Sequence, residues 1–221
     1  HEGNIQIPDK QDIGVVLSET GFSEFFTVSD IISILKCTYK RFDDDLFHSY
    51  CQRFNIPLDK KVRTFSTGMK AKLNIIIALT HHAQLLILDE PTAGLDVLTR
   101  DEILDILRDY MKQEDCTILI SSHISSDLES LCDDLYVIDH GQIIMHEEMD
   151  TLLSQYGVLK VSKEDYENLD KDYLLEVMKE PFGYSCLTNE RQFYSENYPT
   201  IVIEQNHIDT MIPVLLKGER L

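Results

Sequence analysis

The clearest feature of the hydrophobic pattern is an apolar run at residues 85–88 that ends, without a spacer, at Asp89 and Glu90. An apolar run without alternation predicts a strand that is buried on both faces of a parallel sheet. A second such run, at residues 117–120, is followed closely by His123. Because ligands of parallel sheets collect beyond the carboxyl ends of the strands, we expect the two acids and the histidine to lie along one edge.

Around these two runs the chain alternates between strand-like and helix-like spacing of apolar residues. Further strands are predicted at residues 13–17, 135–139 and 142–145, and helices at about residues 27–35, 43–54, 69–77, 97–113 and 125–132. The first two helices follow the first strand and form a helical insert. Regular alternation of strands and helices indicates an α/β fold with a parallel sheet.

The amino-acid composition changes at about residue 151, beyond which the chain is rich in tyrosine and acidic residues. Only weak alternation, at residues 158–161 and 200–204, and a terminal helix near residues 207–216 are visible there. We therefore expect a main domain over residues 1–150, with a helical subdomain at about 20–78, and a small α+β C-terminal appendage over residues 151–221.

Composition narrows the possible partners more than it narrows the fold. The formal net charge of −19 disfavours binding to nucleic acid or to an anionic membrane surface. The five cysteines are scattered and show no metal-ligand spacing, which is typical of reduced thiols in a cytosolic protein. No signal peptide is visible, and the longest apolar run is far too short for a membrane span.

The start of the helix predicted from residue 69 is a second candidate for chemistry. Ser66 and Gly68 lie at its N-terminus, where unpaired backbone N–H groups and the helix dipole attract an anion such as a phosphate. A Ser-Thr-Gly sequence before a helix is also an ordinary cap, and the residues alone leave both interpretations open. The same is true of Asp96, which precedes the helix at residues 97–113.

Four motifs in a fixed order make a family resemblance specific. They are Phe65-Ser66-Thr67-Gly68-Met69, the strand that ends in Asp89-Glu90-Pro91, Ala93-Gly94-Leu95-Asp96, and His123. In order and spacing they resemble the nucleotide-binding domain of ATP-binding cassette (ABC) transporters, over residues 13–147. The resemblance implies a P-loop-type cassette core. The Gly-Met-Lys variant of the signature is similar to cassettes of ABC-2 type exporters, in which a separate polypeptide forms the membrane pore.

The resemblance also implies a role for each site residue and two cofactors, ATP and Mg²⁺. Asp89 would hold magnesium, Glu90 would act as the general base on the attacking water, and His123 would sense the terminal phosphate. The remaining nucleotide-binding positions are Ser66 and Gly68 in the signature, Asp96 in the loop after the carboxylates, and Ser18, where the family carries a glutamine. The serine hydroxyl is too short to replace the reach of a glutamine amide.

One motif of the family is missing from these 221 residues. No Gly-Lys pair occurs, so the lysine-bearing glycine loop that cradles the β and γ phosphates is absent. In the family this loop precedes the stretch that begins here at Ile13, and we expect a complete ATPase whose phosphate loop lies upstream of His1. The alternative is a chain that supplies only its signature face and carboxylates to another subunit's nucleotide.

The resemblance implies two protein partners, a transmembrane ABC permease and a second ATPase subunit in a head-to-tail homodimer. The chain would then be cytoplasmic and peripheral on the inner face of the membrane. The aromatic residues Phe22, Phe25 and Phe26 either fold back onto the core or, together with the helical insert that follows them, form the docking surface for the permease. The alternative functions are a soluble, non-transport ABC ATPase of translation or DNA maintenance, or an inactive regulatory module.

Overall fold

The computed structural model of the chain describes residues 7–17, 21–113, 115–204 and 207–220. The chain divides into two compact units, residues 1–123 and 124–221.

The first unit is built on a three-stranded parallel sheet, β1 (Ile13–Val16), β2 (Leu85–Asp89) and β3 (Thr117–Ser121), in the order β1-β2-β3. The parallel arrangement confirms the prediction from strand–helix alternation. Since β2 lies in the middle, its neighbours fix its carboxyl end from both sides. In this register Asp89, the last residue of β2, lies opposite Ser121, the last residue of β3.

The helices of the first unit are α1 (Val28–Thr38), α2 (Asp44–Arg53), α3 (Thr67–Leu79) and α4 (Val97–Met111). Each begins at a residue whose side-chain oxygen accepts a backbone N–H of the first turn, namely Thr27, Asp43, Ser66 and Asp96. These residue types are the preferred N-caps, because their short polar side chains satisfy one of the helix's unpaired donors. The sequence therefore places the helix starts to within a residue or two.

One face of the three-stranded sheet is covered by α3. A Cβ built on Gly14 of β1 would lie only 2.6 Å from the carbonyl oxygen of Ala78, so the glycine allows this helix to approach the strand closely. On the same face Val16 and Leu88 are buried.

The opposite face of the sheet is largely uncovered within the described residues. Val15, Ile87 and Leu119 are register partners across the three strands, and Val15 and Leu119 are 51% and 61% exposed. The expectation that the run ending before His123 is buried on both faces is therefore wrong for Leu119. The reason is that parallel strands need a covering layer on each side, and the described residues supply only one.

The second unit begins with α5 (Ser125–Leu131), the antiparallel hairpin β4 (Asp134–Asp139) and β5 (Gln142–Glu148), and α6 (Met149–Gln155). His140 and Gly141 form the hairpin turn, and both have positive φ, of 46° and 77°. This is the backbone that a two-residue turn between twisted strands requires.

The remainder of the second unit is a five-stranded antiparallel sheet in the order β10-β7-β8-β6-β9. Its elements are β6 (Gly157–Val161), α7 (Lys163–Asn168), β7 (Leu174–Glu180), β8 (Gly183–Thr188), α8 (Arg191–Asn197), β9 (Val202–Glu204), α9 (Ile208–Lys217) and β10 (Glu219–Arg220). The run from β6 to β9 has the β-α-β-β-α-β order of a ferredoxin-like motif. The sequence indicated β6, β9 and α9 but gave no signal for β7 and β8.

Apolar clusters cover both faces of this sheet. On one face Leu159, Cys186 and Tyr194 are buried together, and on the other Val158 and Leu187 pack with residues of α6, α9 and the β4–β5 hairpin. The hairpin thus belongs to the second compact unit by its packing, although the predicted main domain reaches residue 150. The limits of the ATPase domain itself stay a prediction.

Among the described helices, the longest of which is α4 with 15 residues, none has the length and apolarity needed to cross a bilayer.

His81 joins the end of α3 to the start of β1. Its ring is buried, stacks on Tyr39 with centroids 4.0 Å apart, and places its two nitrogens 3.1 Å and 3.3 Å from the carbonyl oxygens of Ile13 and Ile77. Burial lowers the pKa of His81 below its usual value of 6.5, although both carbonyl oxygens favour the protonated ring. Protonation of His81 is therefore less favourable in the folded chain than in the unfolded chain.

We expect His81 to weaken the fold as the pH falls below about 6.5, because the unfolded chain then binds more protons at this residue. The contribution of neutral His81 to the free energy of unfolding is fully present above that pH and is lost as the pH falls towards the lowered pKa of the folded chain. His81→Phe keeps the stacking on Tyr39 but removes the titration, so its urea midpoint should depend less steeply on pH than that of the wild type between about pH 7 and 5. His140→Asn, at a fully exposed histidine, is the control, and equal slopes for all three proteins would contradict the prediction.

Candidate active site

The carboxylate and the histidine that follow neighbouring strands are in direct contact. His123 Nδ1 lies 2.7 Å from Glu90 Oε2, and the backbone N–H of His123 points to the same oxygen at 3.4 Å. An ionised carboxylate only accepts hydrogen bonds, so Nδ1 carries the proton in this contact. The His123 side chain is 70% exposed and that of Glu90 is 31% exposed, so the pair lies open at the carboxyl edge of the sheet.

The backbone of Glu90 is unusual and explains how its side chain reaches His123. Its φ is +49°, in the left-handed region that residues with a Cβ seldom adopt. The backbone N–H of Glu90 donates to the carbonyl oxygen of Ser121 at 3.0 Å and approaches the hydroxyl of the same residue at 3.3 Å. These contacts hold the chain in this conformation where β2 ends.

Asp89, one residue earlier, accepts a hydrogen bond from the same serine. The distance from Ser121 Oγ to Asp89 Oδ1 is 2.6 Å. Ser121 was not among the site residues predicted from the sequence. The available signal was a hydroxyl two residues before His123 at the end of a strand, but only the β2–β3 register shows that it lies beside Asp89.

The side chains at this edge suit magnesium better than a cation whose ligands must all come from the protein. Among the described residues, no three His, Cys, Asp or Glu side chains converge well enough to hold a metal ion. Magnesium is commonly held by one or two carboxylates, several waters and the phosphates of a substrate. Asp89 offers one exposed carboxylate of this kind, so it is compatible with a magnesium ion that arrives with a nucleotide.

The starts of α3 and α4 lie beside each other and line a cleft of about 270 Å³. Asp96 Oδ1 accepts the backbone N–H of Thr99 at 3.0 Å, and Asp96 Oδ2 accepts the Thr99 hydroxyl at 2.8 Å. The backbone hydrogen bond from Thr99 is the main reason that the pKa of Asp96 is lowered from its usual value. A Cβ on Gly68 would lie 2.9 Å from the methyl of Thr99, so Gly68 allows the two helix starts to meet.

Ser66 caps α3 by accepting the backbone N–H of Met69 at 3.3 Å, and it is exposed at the surface. The ordinary capping interpretation is therefore correct for both Ser66 and Asp96, and it leaves their proposed nucleotide roles as predictions. Ser18 lies outside the described residues. The structure thus brings Glu90 and His123 together beside Asp89, and brings Ser66 and Gly68 together with Asp96.

A larger cleft of about 670 Å³ opens at the carboxyl ends of β1 and β2. Glu90 lines it together with Phe22, Lys70 and Asn74. An ion pair between Lys70 and Glu24 ties the loop that carries the aromatic residues to α3. Since Glu90 lines this cleft, the cleft is a candidate space in which a substrate can approach the carboxylate.

Comparisons with known proteins identify the family and the fold of the chain. A family model described as "AAA domain, putative AbiEii toxin, Type IV TA system" matches residues 12–126, which is more than half of the chain. The chain is 29% identical over 160 residues to the ABC transporter ATP-binding protein YtrB of Bacillus subtilis, covering 72% of this chain and 55% of YtrB. The chain belongs to the family of AAA-type domains that this model describes, and proteins named as ATP-binding subunits of ABC transporters are among its relatives.

Two further similarities, one in sequence and one in structure, involve proteins of ABC transporters. The chain is 47% identical over 94 residues to the lantibiotic transport ATP-binding protein SrtF of Streptococcus pyogenes, covering 42% of this chain and 41% of SrtF. A solved structure of the ATP-binding subunit of an ABC transporter superposes with a TM-score of 0.57 at 23% identity, over 66% of this chain and 62% of that one. The second similarity supports the fold alone and confirms the predicted cassette core.

The chain spans about half the length of these curated relatives or less. The family and the fold class predicted from the sequence are confirmed. The roles of the individual site residues stay predictions.

We expect the cap of α3 to be measurable apart from any role in nucleotide binding. Ser66→Ala removes the acceptor for the Met69 N–H and should lower the free energy of unfolding by about 1 kcal/mol. Ser66→Thr keeps a hydroxyl acceptor and should lose less. Urea unfolding followed by circular dichroism tests this, and an unchanged free energy of unfolding in Ser66→Ala would show that the cap contributes nothing.

Proposed function

We propose that this chain is the ATP-hydrolysing part of an ABC subunit that powers a membrane transporter of the ABC-2 exporter type. The observation that carries the proposal is the contact between Glu90 and His123 beside Asp89 at the carboxyl edge of a parallel sheet. Phosphoryl transfer from ATP depends mainly on positioning and on neutralisation of charge. A base, a hydrogen-bonding imidazole and a magnesium-binding carboxylate at one edge are suited to that task.

In the proposed mechanism Glu90 orients the attacking water and accepts its proton. His123 holds the Glu90 carboxylate through Nδ1 and so fixes the direction of the base. Its second ring nitrogen accepts a hydrogen bond when the ring is neutral and donates to a phosphate oxygen only when the ring is protonated. Asp89 would hold the magnesium ion, which when bound neutralises the charge that develops on the phosphates.

The phosphate cradle is, in this proposal, supplied by an element outside the 221 residues. Two observations support it. The sequence contains no Gly-Lys pair, and the sheet face formed by Val15, Ile87 and Leu119 has no covering layer among the described residues. A strand and helix that carry the glycine loop would bury this face and place the loop next to the edge where Glu90 lies.

The starts of α3 and α4 would meet a second ATPase subunit in a head-to-tail homodimer. In the family, the signature serine and glycine reach the nucleotide held by the other subunit, and here Ser66, Gly68 and Asp96 share one surface cleft. Val97 and Leu98, immediately after Asp96, are 70% and 77% exposed. Apolar side chains at such a position favour burial against another protein surface.

The membrane partner would be an ABC permease, which would place the chain on the cytoplasmic face of the membrane. The proposed docking surface is the aromatic loop at residues 21–26. Phe25 is 66% exposed and lies under the guanidinium of Arg63, 5.5 Å from the ring centroid, and Phe26 is 38% exposed. The loop is tied down by backbone hydrogen bonds from Val62 and Arg63, so it presents its rings on a fixed support.

We expect Glu90→Gln to lower ATP hydrolysis by the full-length protein by roughly 10²–10⁴-fold, because the amide cannot accept the proton of the water. Binding of ATP should be retained, since the amide has nearly the same shape. Phosphate release and nucleotide binding, measured on the same preparations, test this. Glu167→Gln, at an exposed glutamate of α7, is the matched control and should leave hydrolysis unchanged.

Full hydrolysis by Glu90→Gln would overturn the proposed function. Micromolar binding of ATP to the 221-residue chain alone, measured by calorimetry, would instead show that the phosphate cradle has been assigned to the wrong place.

We expect Phe25→Ser combined with Phe26→Ser to uncouple the ATPase from its permease, because it removes two exposed apolar rings from the proposed docking surface. Basal ATP hydrolysis should remain, while co-purification with the permease and transport should be lost. Phe182→Ser is a matched control, since Phe182 is 94% exposed in the β7–β8 turn of the second unit. Unchanged co-purification and transport in the double variant would contradict the assignment.

A further inference from the structure

We infer that Ser121 is a positioning residue for both carboxylates of the site, fixing the Asp89 side chain and the backbone of Glu90 through one hydroxyl and one carbonyl group. This inference rests on the proposed function, in which Asp89 binds magnesium and Glu90 is the base.

The hydroxyl of Ser121 can satisfy both residues at once. It has a single proton, which it donates to Asp89 Oδ1 across 2.6 Å. Its lone pairs then face the backbone N–H of Glu90 at 3.3 Å, and the Ser121 carbonyl accepts the same N–H at 3.0 Å. The direction of each hydrogen bond follows, because a carboxylate cannot donate and a backbone N–H cannot accept.

The first consequence concerns the metal ligand. Because Ser121 engages Oδ1, it limits rotation of the Asp89 carboxylate and leaves Oδ2 as the oxygen suited to magnesium or its bound water. Partners that orient a metal ligand in this way commonly change metal affinity or activity by 10–100-fold when they are removed.

The second consequence concerns the base. Glu90 adopts a φ of +49°, which the N–H contact with Ser121 helps to maintain. This backbone conformation directs the side chain to His123, whose Nδ1 holds the far end of the carboxylate at 2.7 Å. Ser121 therefore fixes Glu90 at the backbone and His123 fixes it at the side chain.

The test is the magnesium dependence of ATP hydrolysis by the full-length protein carrying Ser121→Ala. We expect the half-saturating magnesium concentration to rise roughly tenfold. Ser121→Thr keeps the hydroxyl and should restore the wild-type value. Ser121→Cys, which has nearly the same shape but a weak donor, should behave like Ser121→Ala and serves if the alanine variant does not fold.

A direct binding measurement separates positioning from activity. In the Glu90→Gln background with ATP present, Mn²⁺ binding followed by electron paramagnetic resonance should weaken by a similar factor when Ser121→Ala is added. The control is Thr117→Ala, which removes a hydroxyl at the opposite end of the same strand and should change neither readout.

The inference is overturned if Ser121→Ala lowers only thermal stability and leaves the magnesium dependence and Mn²⁺ binding within twofold of the parent. It is also overturned if Ser121→Thr fails to restore them, since the hydroxyl would then not be the responsible group. Failure of the proposed function is a different result, in which Glu90→Gln hydrolyses ATP at the wild-type rate whatever residue occupies position 121.

Discussion

The parallel register between β2 and β3 is the constraint on which the site depends. It places Asp89 opposite Ser121, so that the chain after β2 and the chain after β3 leave the sheet side by side. The contacts of Glu90 with Ser121 and with His123 both follow from this pairing. Because side chains alternate between the faces of a strand, a shift of one residue would turn Asp89 to the other face and separate the whole set.

The helix starts show that a capping residue can also be a candidate ligand. Ser66 and Asp96 each stabilise their own helix, and both lie at the surface beside the same cleft. Asp96 engages Thr99 with both carboxylate oxygens, so any contact with a second subunit must share or replace those hydrogen bonds. The sequence could not choose between cap and ligand because the same short polar side chains suit both tasks.

The second unit is where prediction from the sequence was weakest. The strand β7 was missed for a physical reason: it carries a register irregularity between Leu174 and Glu176, and its two faces pack against different apolar clusters. A bulge interrupts the period of two, and burial on both sides removes the contrast between apolar and polar positions. The ferredoxin-like order of strands became visible only from their pairing.

The sequence by itself determined where the strands of the first unit end, where its helices begin, and which acids and histidine follow those strands. These are local properties, because apolar runs, caps and motif spacing act over a few neighbouring residues. The tertiary structure alone decided the register that brings Ser121 to Asp89, the left-handed backbone of Glu90 and the exposure of Leu119. Each of these depends on residues far apart in the chain, whose contacts no local pattern encodes.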